Sequence, residues 1–334
     1  MDRSGAAMNW FEETFAAAQQ WIFETLLQPV MFALGQGHML EDGYAASGWL
    51  LVGLIQIAIL IAVVGPLQRW WPVEPVSDRA AIRTDILYTV IHRLGIFRVA
   101  LFFLVDPLFD QLFGSLRGIG FGTFHLDQVW PGVTDSALVS FAIYLVVFDF
   151  ADYWMHRAQH RVSWWWSLHS LHHSQRQMTM WSDNRNHLLD DLLRDSLLVL
   201  LAQLIGVAPG QFVAIVAITQ LSESLQHANL RLWFGKVGER LWISPRFHRL
   251  HHSIGLGHES DSNAPALVNK RSPALGGHNF GVLLPWWDIL FGTANFERRY
   301  DPTGVRDQVE HGRNYGHGFW SQQWLGIKRL FGRA

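Results

Sequence analysis

Apolar residues fall in four long runs. From about Trp49 to Val64 nearly every position is Leu, Ile, Val, Ala or Gly, and the run stops at Gly65-Pro66, ahead of Arg69, Trp70 and Trp71. That pattern predicts a membrane-crossing helix near the lower length limit for one. A second run, roughly Ile86 to Val105, is interrupted by His92, Arg93 and Arg98, charges a bilayer tolerates only if they snorkel or pair inside a bundle. A third, from Ala137 to about Phe150, continues without a breaker into Asp152, Tyr153, Trp154 and a histidine-bearing segment. The fourth, Leu197 to Leu221, carries Gly206-Val207-Ala208-Pro209-Gly210 at its middle. Each half is about a dozen residues, or ~18 Å of helix, too short for a ~30 Å hydrocarbon core. The expected form is a re-entrant helical hairpin, with one Pro-kinked spanning helix as the alternative. A hairpin returns the chain to the side it left, so histidines before residue 190 can meet those after 225.

Composition agrees with membrane embedding: 49% of the 334 residues are hydrophobic and only 16% charged, greasier than an ordinary soluble domain. Seventeen Trp residues suit a chain with much of its surface where hydrocarbon meets water. Lys and Arg number one before residue 67, three between 67 and 84, one between 106 and 136, and nineteen after 156. The positive-inside rule then places 67–84 and the C-terminal half in the cytoplasm. Residues up to Gly48 face the other side, with Trp21 to Leu34 along the interface. The expected architecture is all-α and integral to the membrane: about three spanning helices, a re-entrant helical hairpin and a cytosolic histidine-rich helical cap. Residues 1–48 form an N-terminal non-cytosolic or interfacial segment, and 49–334 a single membrane-embedded domain with a histidine core at about 140–295. Asp2, Arg3, Glu12 and Glu13 do not make the basic start and apolar core of a secretory signal. Multi-pass insertion in a bacterial inner membrane, or in the endoplasmic reticulum of a eukaryote, is the expected location.

A net charge of −2 argues against a nucleic-acid partner. The absence of cysteine excludes disulfides, Cys-ligated zinc, thiolate-bound haem and Cys-ligated iron–sulfur clusters, leaving nitrogen and oxygen as metal ligands. Neither a phosphate loop nor a Gly-x-Ser-x-Gly elbow occurs, and Gly118-Ile119-Gly120-Phe121-Gly122 lacks the spacing of a dinucleotide fingerprint.

Histidine supplies the candidate chemistry. His156 and His160, then His169, His172 and His173, then His248, His251 and His252 place eight imidazoles at helical spacings of three and four, which lie on one helix face. Neutral imidazole is the commonest protein ligand for transition metals. Eight exceed what a tetrahedral zinc uses, so two metals fit the count better. Without metal, clustered histidines would partly charge near pH ~6.5 and repel one another. His227 is a ninth candidate, and Glu223, four residues before it, a carboxylate ligand or acceptor. His187 and His278 are looser candidates. Ligating imidazoles usually donate their other N–H to a carboxylate or carbonyl. Asp149 and Asp152, seven and four residues before His156, and Asp190, Asp191 and Asp195 are at hand for that purpose. Asp152 and Glu223 are the acidic catalytic candidates.

At these residues the chain resembles the fatty acid hydroxylase and sterol desaturase superfamily of integral membrane non-haem di-iron oxygenases. The pattern of a histidine pair spaced by three, a His-x-x-His-His, and a second His-x-x-His-His after a membrane hairpin is matched in order. So are its surroundings: Asp152-Tyr153-Trp154-Met155-His156-Arg157, Trp165 and Trp166, Ser174, Pro245, Phe280-Gly281, and Trp287-Asp288 leading to Gly292-Thr293. Asn186-His187-Leu188-Leu189-Asp190 is similar to the His-Pro-Leu-Glu segment of many members, with Leu188 in place of proline, and Glu223 stands where some members have a second histidine. The resemblance implies that His156, His160, His169, His172, His173, His248, His251 and His252, with His227, ligate two Fe2+ ions, zinc being able to substitute. It implies O2 and electrons from an external reductase, and oxidation of an unactivated C–H in a fatty-acyl, sterol or related lipid entering from the bilayer. Hydroxylation is the leading expectation and desaturation by the same site the alternative. A dizinc membrane hydrolase, working without O2 or reductant, is the alternative of another class; a catalytically silent metal-binding protein is the third.

Overall fold

The computed structural model describes residues 3–97, 106–254 and 277–333. Among these residues the regular structure is helical, with an isolated bridge from Ser253 to Thr303 and no strand. Helix α1 spans Arg3–Ile22 and runs on through π and α turns to Ala33. Ile22 and Phe23 are buried there, whereas Trp21, Val30, Phe32 and Leu34 are exposed.

Helix α2, Leu40–Ile59, continues through a π turn, Leu60–Val64, and a last segment, Gly65–Trp70. The expected stop at Gly65-Pro66 does not occur, because Pro66 sits in the first turn of its segment, where a missing N–H breaks nothing. The apolar helix is therefore Gly37–Trp70, 34 residues whose most apolar 18-residue stretch has mean hydropathy 2.6, and the boundary expected after Gly48 falls inside it.

Helix α3, Arg79–Arg93, begins at an Asp78 cap that accepts from the Ala81 N–H at 2.9 Å. It turns back along α2 so tightly that a Cβ on Gly53 would lie 1.6 Å from the Arg93 carbonyl oxygen. Arg93 is buried and donates to Gln56 (3.0 Å), Gln220 (2.7 Å), Ser224 (2.9 Å) and Asp183 (2.7 Å). The helix ends there, and Gly95 takes φ +77°. The second expected span is thus not one helix from Ile86 onward: its cation turns into the protein instead of crossing lipid. Residues 98–105 of that expectation, and 255–276 of the expected polar cap, lie outside the described residues.

After α4, Asp106–Gly118, helix α5 runs unbroken over Ala137–Arg161, 25 residues whose most apolar 18-residue stretch has mean hydropathy 1.5. It carries the third apolar run directly into the first histidine pair, as its sequence predicts. Among the described residues, the Gly37–Trp70 stretch and α5 are long and apolar enough to cross a membrane. Helix α6, Ser163–His173, follows after one extended residue, Val162.

Helices α7, Leu188–Ile205, and α8, Pro209–His227, flank the fourth run's interruption. Gly206 closes α7 with φ +66°, and a Cβ on it would lie 2.4 Å from the Phe124 carbonyl oxygen; no L side chain suits both demands. Tyr144 and Phe148 of α5 pack with Leu198 of α7 and Ile215 of α8, and Arg194 reaches Glu223 at 3.6 Å across the open end. The two halves fold back on one another rather than forming one kinked helix.

Short helices α9, Pro245–His251, and α10, Trp286–Leu290, and the closing α11, Phe319–Leu330, complete the histidine end. The segment after α2 lies at this same end. Gln177 accepts from the N–H groups of Ser77 and Asp78, and Asn229 from those of Val73 and Glu74. Glu74 also pairs with Arg249 at 2.8 Å.

Candidate metal centre

The imidazoles from α5, α6, α8 and α9 converge into two groups. His156, His160, His173 and His251 form one, and His172, His227, His248 and His252 the other; within each, the candidate ligand atoms lie within 4.8 Å of one another and all four residues are buried. In the second group, Nε2 atoms approach at 3.1 Å between His172 and His227, His227 and His248, and His248 and His252. A metal–nitrogen bond of about 2.1 Å gives ligand-to-ligand edges of about 3.0–3.4 Å, according to geometry. His227 donates Nδ1–H to the Glu223 carbonyl at 2.7 Å, so its neutral ring presents a lone pair at Nε2, aimed at the other nitrogens. Such a ring of converging nitrogens fits a cation. The rings of His173 and His252 stack between the groups at 4.2 Å.

His169 belongs to neither four-residue group. Its ring lies 5.3, 5.1 and 5.1 Å from those of His156, His160 and His173, and its buried Nε2 has no hydrogen-bond partner. It is placed to add a further nitrogen to the first group.

The opposite ring nitrogens are fixed by the protein, which sets tautomer and orientation. His156 donates Nδ1–H to the Phe280 carbonyl and His251 to the His278 carbonyl, both at 2.8 Å. His169 donates to Asp190 at 2.9 Å, and Asp190 also accepts from Gln159 (2.7 Å) and Trp165 (2.6 Å). Burial, followed by the charge His227 would carry, holds His172 and His248 well below the usual imidazole range. Both rings are therefore neutral donors at pH 7.

Four expected residues take other roles. His187 uses both ring nitrogens: Nδ1 accepts from the Leu189 N–H at 3.2 Å, capping α7, and Nε2–H donates to the Gln323 carbonyl at 2.9 Å. With neither lone pair facing the centre it is a helix cap, not a ligand. Asp152 is not the acceptor for His156, since it pairs with Arg194 at 2.8 Å. Glu223 gives His227 its backbone carbonyl, while its carboxylate turns to Arg194 and joins neither group. His278 likewise contributes a carbonyl, and burial pushes its own ring down to about 4.

The anchoring of the 280–284 loop is invisible in the spacing of the histidines. Asp288 accepts from the N–H groups of Phe280 (2.8 Å) and Gly281 (2.7 Å) and from Thr293 (2.7 Å), and burial pushes its carboxyl up to about 6. Asp149 accepts from Leu283 (2.7 Å), Leu284 (3.2 Å) and the Trp287 indole (2.9 Å). Together they hold the Phe280 carbonyl against His156. The signal in the sequence was the Phe280-Gly281 and Trp287-Asp288 motif, matched by resemblance without a role attached.

Apolar helices lead into a buried polyhistidine centre whose donors suit a metal ion, and comparison with known proteins points the same way. Residues 141–293, a little under half of the chain, match the family model described as fatty acid hydroxylase, which supports the superfamily resemblance carried by the histidine boxes. The chain is similar to an ornithine lipid hydroxylase of Rhizobium tropici, 26% identical over 256 residues, covering 75% of this chain and 70% of the relative. It is also similar to an alkylglycerol monooxygenase of Caenorhabditis elegans, 26% identical over 157 residues, 46% of this chain and 26% of the relative. No solved structure matches it.

Proposed function

We propose that this protein is a membrane lipid hydroxylase whose two imidazole groups hold two iron ions. The observation that carries this reading is the pair of buried four-histidine groups inside the family-matched segment. One relative is a lipid hydroxylase and the other an alkylglycerol monooxygenase, which favours hydroxylation over desaturation. His156, His160, His173 and His251, with His169, would hold one ion; His172, His227, His248 and His252 the other. Iron bound there supplies O2 activation, using two electrons from an external electron-transfer protein. The chain's own residues orient the donors: the Phe280, His278 and Glu223 carbonyls and Asp190 fix the rings, and burial excludes water.

Contacts and charge support a three-crossing topology. The chain leaves α2 at the histidine end and α5 arrives at that same end, so it must cross back between residues 71 and 137. Three crossings result, with the α7–α8 hairpin dipping into the bilayer from the histidine side. The cations at 67–84 and after 156 support a cytoplasmic location for that side. Residues before Gly37 would then lie on the far face, and the chain from the Gly37–Trp70 helix onward act as one membrane-embedded domain.

The test is comparative lipidomics of cells with and without the gene, with O2 uptake by the purified protein. A gain of sixteen mass units with O2 consumption is expected. A loss of two would indicate a desaturase, and lipid cleavage without O2 a dizinc hydrolase.

A further inference from the structure

Helix α11 is built inside out. Its protein-facing side carries Gln322, Gln323 and Arg329 beside Phe319 and Gly326, all buried, whereas Trp320, Trp324 and Phe331, just past its end, stand 81%, 60% and 70% exposed. At 100° per residue, Trp320, Trp324, half-buried Ile327 and Phe331 fall within one stripe about 60° wide, away from the buried amides. A helix in water turns its apolar stripe to the core and its polar side outward. Here the order is reversed.

The inward side chains hold the helix in that rotation. Gln323 donates to the Tyr88 hydroxyl (2.9 Å) and the Asn186 carbonyl (3.0 Å) and accepts from the Leu188 N–H (2.9 Å). Arg329 donates to the Ser167 carbonyl at 3.1 Å. A roll that hid the rings would break these bonds. The contact with Tyr88 also sets the level of α11. Helix α3 runs back along α2 with Arg93 against Gly53, so Tyr88, five residues earlier and about 7.5 Å along the axis, stands beside the apolar run Trp49–Val64. The Phe319 ring meets Tyr88 at 4.8 Å. The outward stripe therefore lies at the height of the apolar helix. Its flanks are basic: from His311 to Ala334 no carboxylate side chain occurs, Lys328 lies 5.8 Å from the Trp324 ring, and Arg333 is exposed. Aromatic rings beside cations make up the composition of a helix lying in a membrane interface.

We propose that α11 lies along the histidine-side leaflet of the bilayer, with Trp320, Trp324, Ile327 and Phe331 set into the lipid and Lys328 and Arg333 paired with anionic headgroups. This rests on the reading of the Gly37–Trp70 helix as a membrane crossing. Through Gln323 the leaflet then supports the start of α7, where Leu188 is held and where Asp190 orients His169.

The chain has no cysteine, so single cysteines introduced into the full-length protein take a nitroxide label at chosen positions. Trp320→Cys, Trp324→Cys and Phe331→Cys are exposed sites that leave the packed face of α11 intact. They are compared, in lipid discs of phosphatidylethanolamine and phosphatidylglycerol, with Ile61→Cys on the apolar helix and Arg313→Cys on the loop before α11, both exposed. Collisions with oxygen, which concentrates in lipid, are measured against collisions with a nickel chelate confined to water. The expected result is an oxygen-to-nickel ratio at all three α11 sites that matches Ile61 and exceeds Arg313. Discs of phosphatidylcholine alone should lower the ratio at Phe331, because Lys328 and Arg333 lose their counter-charges; an unchanged ratio would overturn the pairing with anionic headgroups. Nickel collisions at the α11 sites as frequent as at Arg313, with Ile61 in lipid, would overturn the proposal and leave the crossing intact. Few collisions with either reagent would mean that a second copy of the chain covers the stripe, and would overturn it too. Nickel access at Ile61 would overturn the crossing and the proposal together.

Discussion

His172 and His173 are neighbours in sequence and belong to different imidazole groups, as do His251 and His252. Consecutive residues on a helix point about 100° apart, so a His-His pair at a helix end can serve two sites, whereas partners four apart, such as His156 and His160, share one. Each group therefore depends on its own members. His172→Ala should lower bound iron from about two to about one per chain and abolish lipid oxidation, as read by elemental analysis; unchanged iron content would exclude His172 as a ligand. Acidity should act on the same residues. His172 and His248 are held below the ordinary imidazole value of 6.5 by burial in the folded chain, so below that pH the unfolded chain binds protons before the folded one does, and protons compete with metal for the same nitrogens. Stability and metal affinity should then fall as pH drops from about 6.5. Iron retention measured from pH 8 to 5 should decline across the acid half of that range, and a flat profile would sink coordination by these rings.

The elements place the rings through contacts that bear no metal. Asp288 holds the loop carrying the Phe280 carbonyl, which fixes His156. Asp288→Ala leaves two buried backbone N–H groups without acceptors, at about 1–3 kcal/mol each. The expected outcome is a clear drop in thermal midpoint together with weaker iron binding, measured by thermal unfolding and elemental analysis. Helix α11 reaches His187 through a gap left by Gly326, where a Cβ would lie 2.2 Å from the imidazole Cδ2. Gly326→Leu should displace the His187 cap and destabilise by about 1–3 kcal/mol. Iron content per folded molecule should not change, because His187 faces away from the centre.

Across the whole molecule, Arg93 ties the first apolar helix to the histidine end by joining Gln56 of α2, Asp183, and Gln220 and Ser224 of α8. Removing one partner of a buried ion pair costs about 3–5 kcal/mol, since the other charge is left without compensation. Arg93→Met should therefore lower the unfolding midpoint strongly in detergent, and adding Asp183→Asn should recover part of the loss. Strict additivity of the two changes would show that they are not coupled.

Local order was legible in the chain because it is periodic. The apolar runs gave helices α2, α5, α7 and α8, the Gly206 to Pro209 interruption gave the fold-back, and spacings of three and four gave histidines on shared faces. Pro66 misled because the side chain alone does not reveal whether it sits inside a helix or in the first turn of a new segment. Partnership across the fold was not encoded in this way. Asp152 has the spacing to serve His156 but finds Arg194, brought beside it by the packing of α5 on the hairpin. The acceptors that orient His156, His251 and His227 are backbone carbonyls, a group every residue carries. Residue type and spacing put the candidate imidazoles on shared helix faces; tertiary packing chose which nitrogen faces which and turned His187 and the Glu223 carboxylate to other partners, because only packing brings particular carbonyls and rings from distant segments within 3 Å or so of each other.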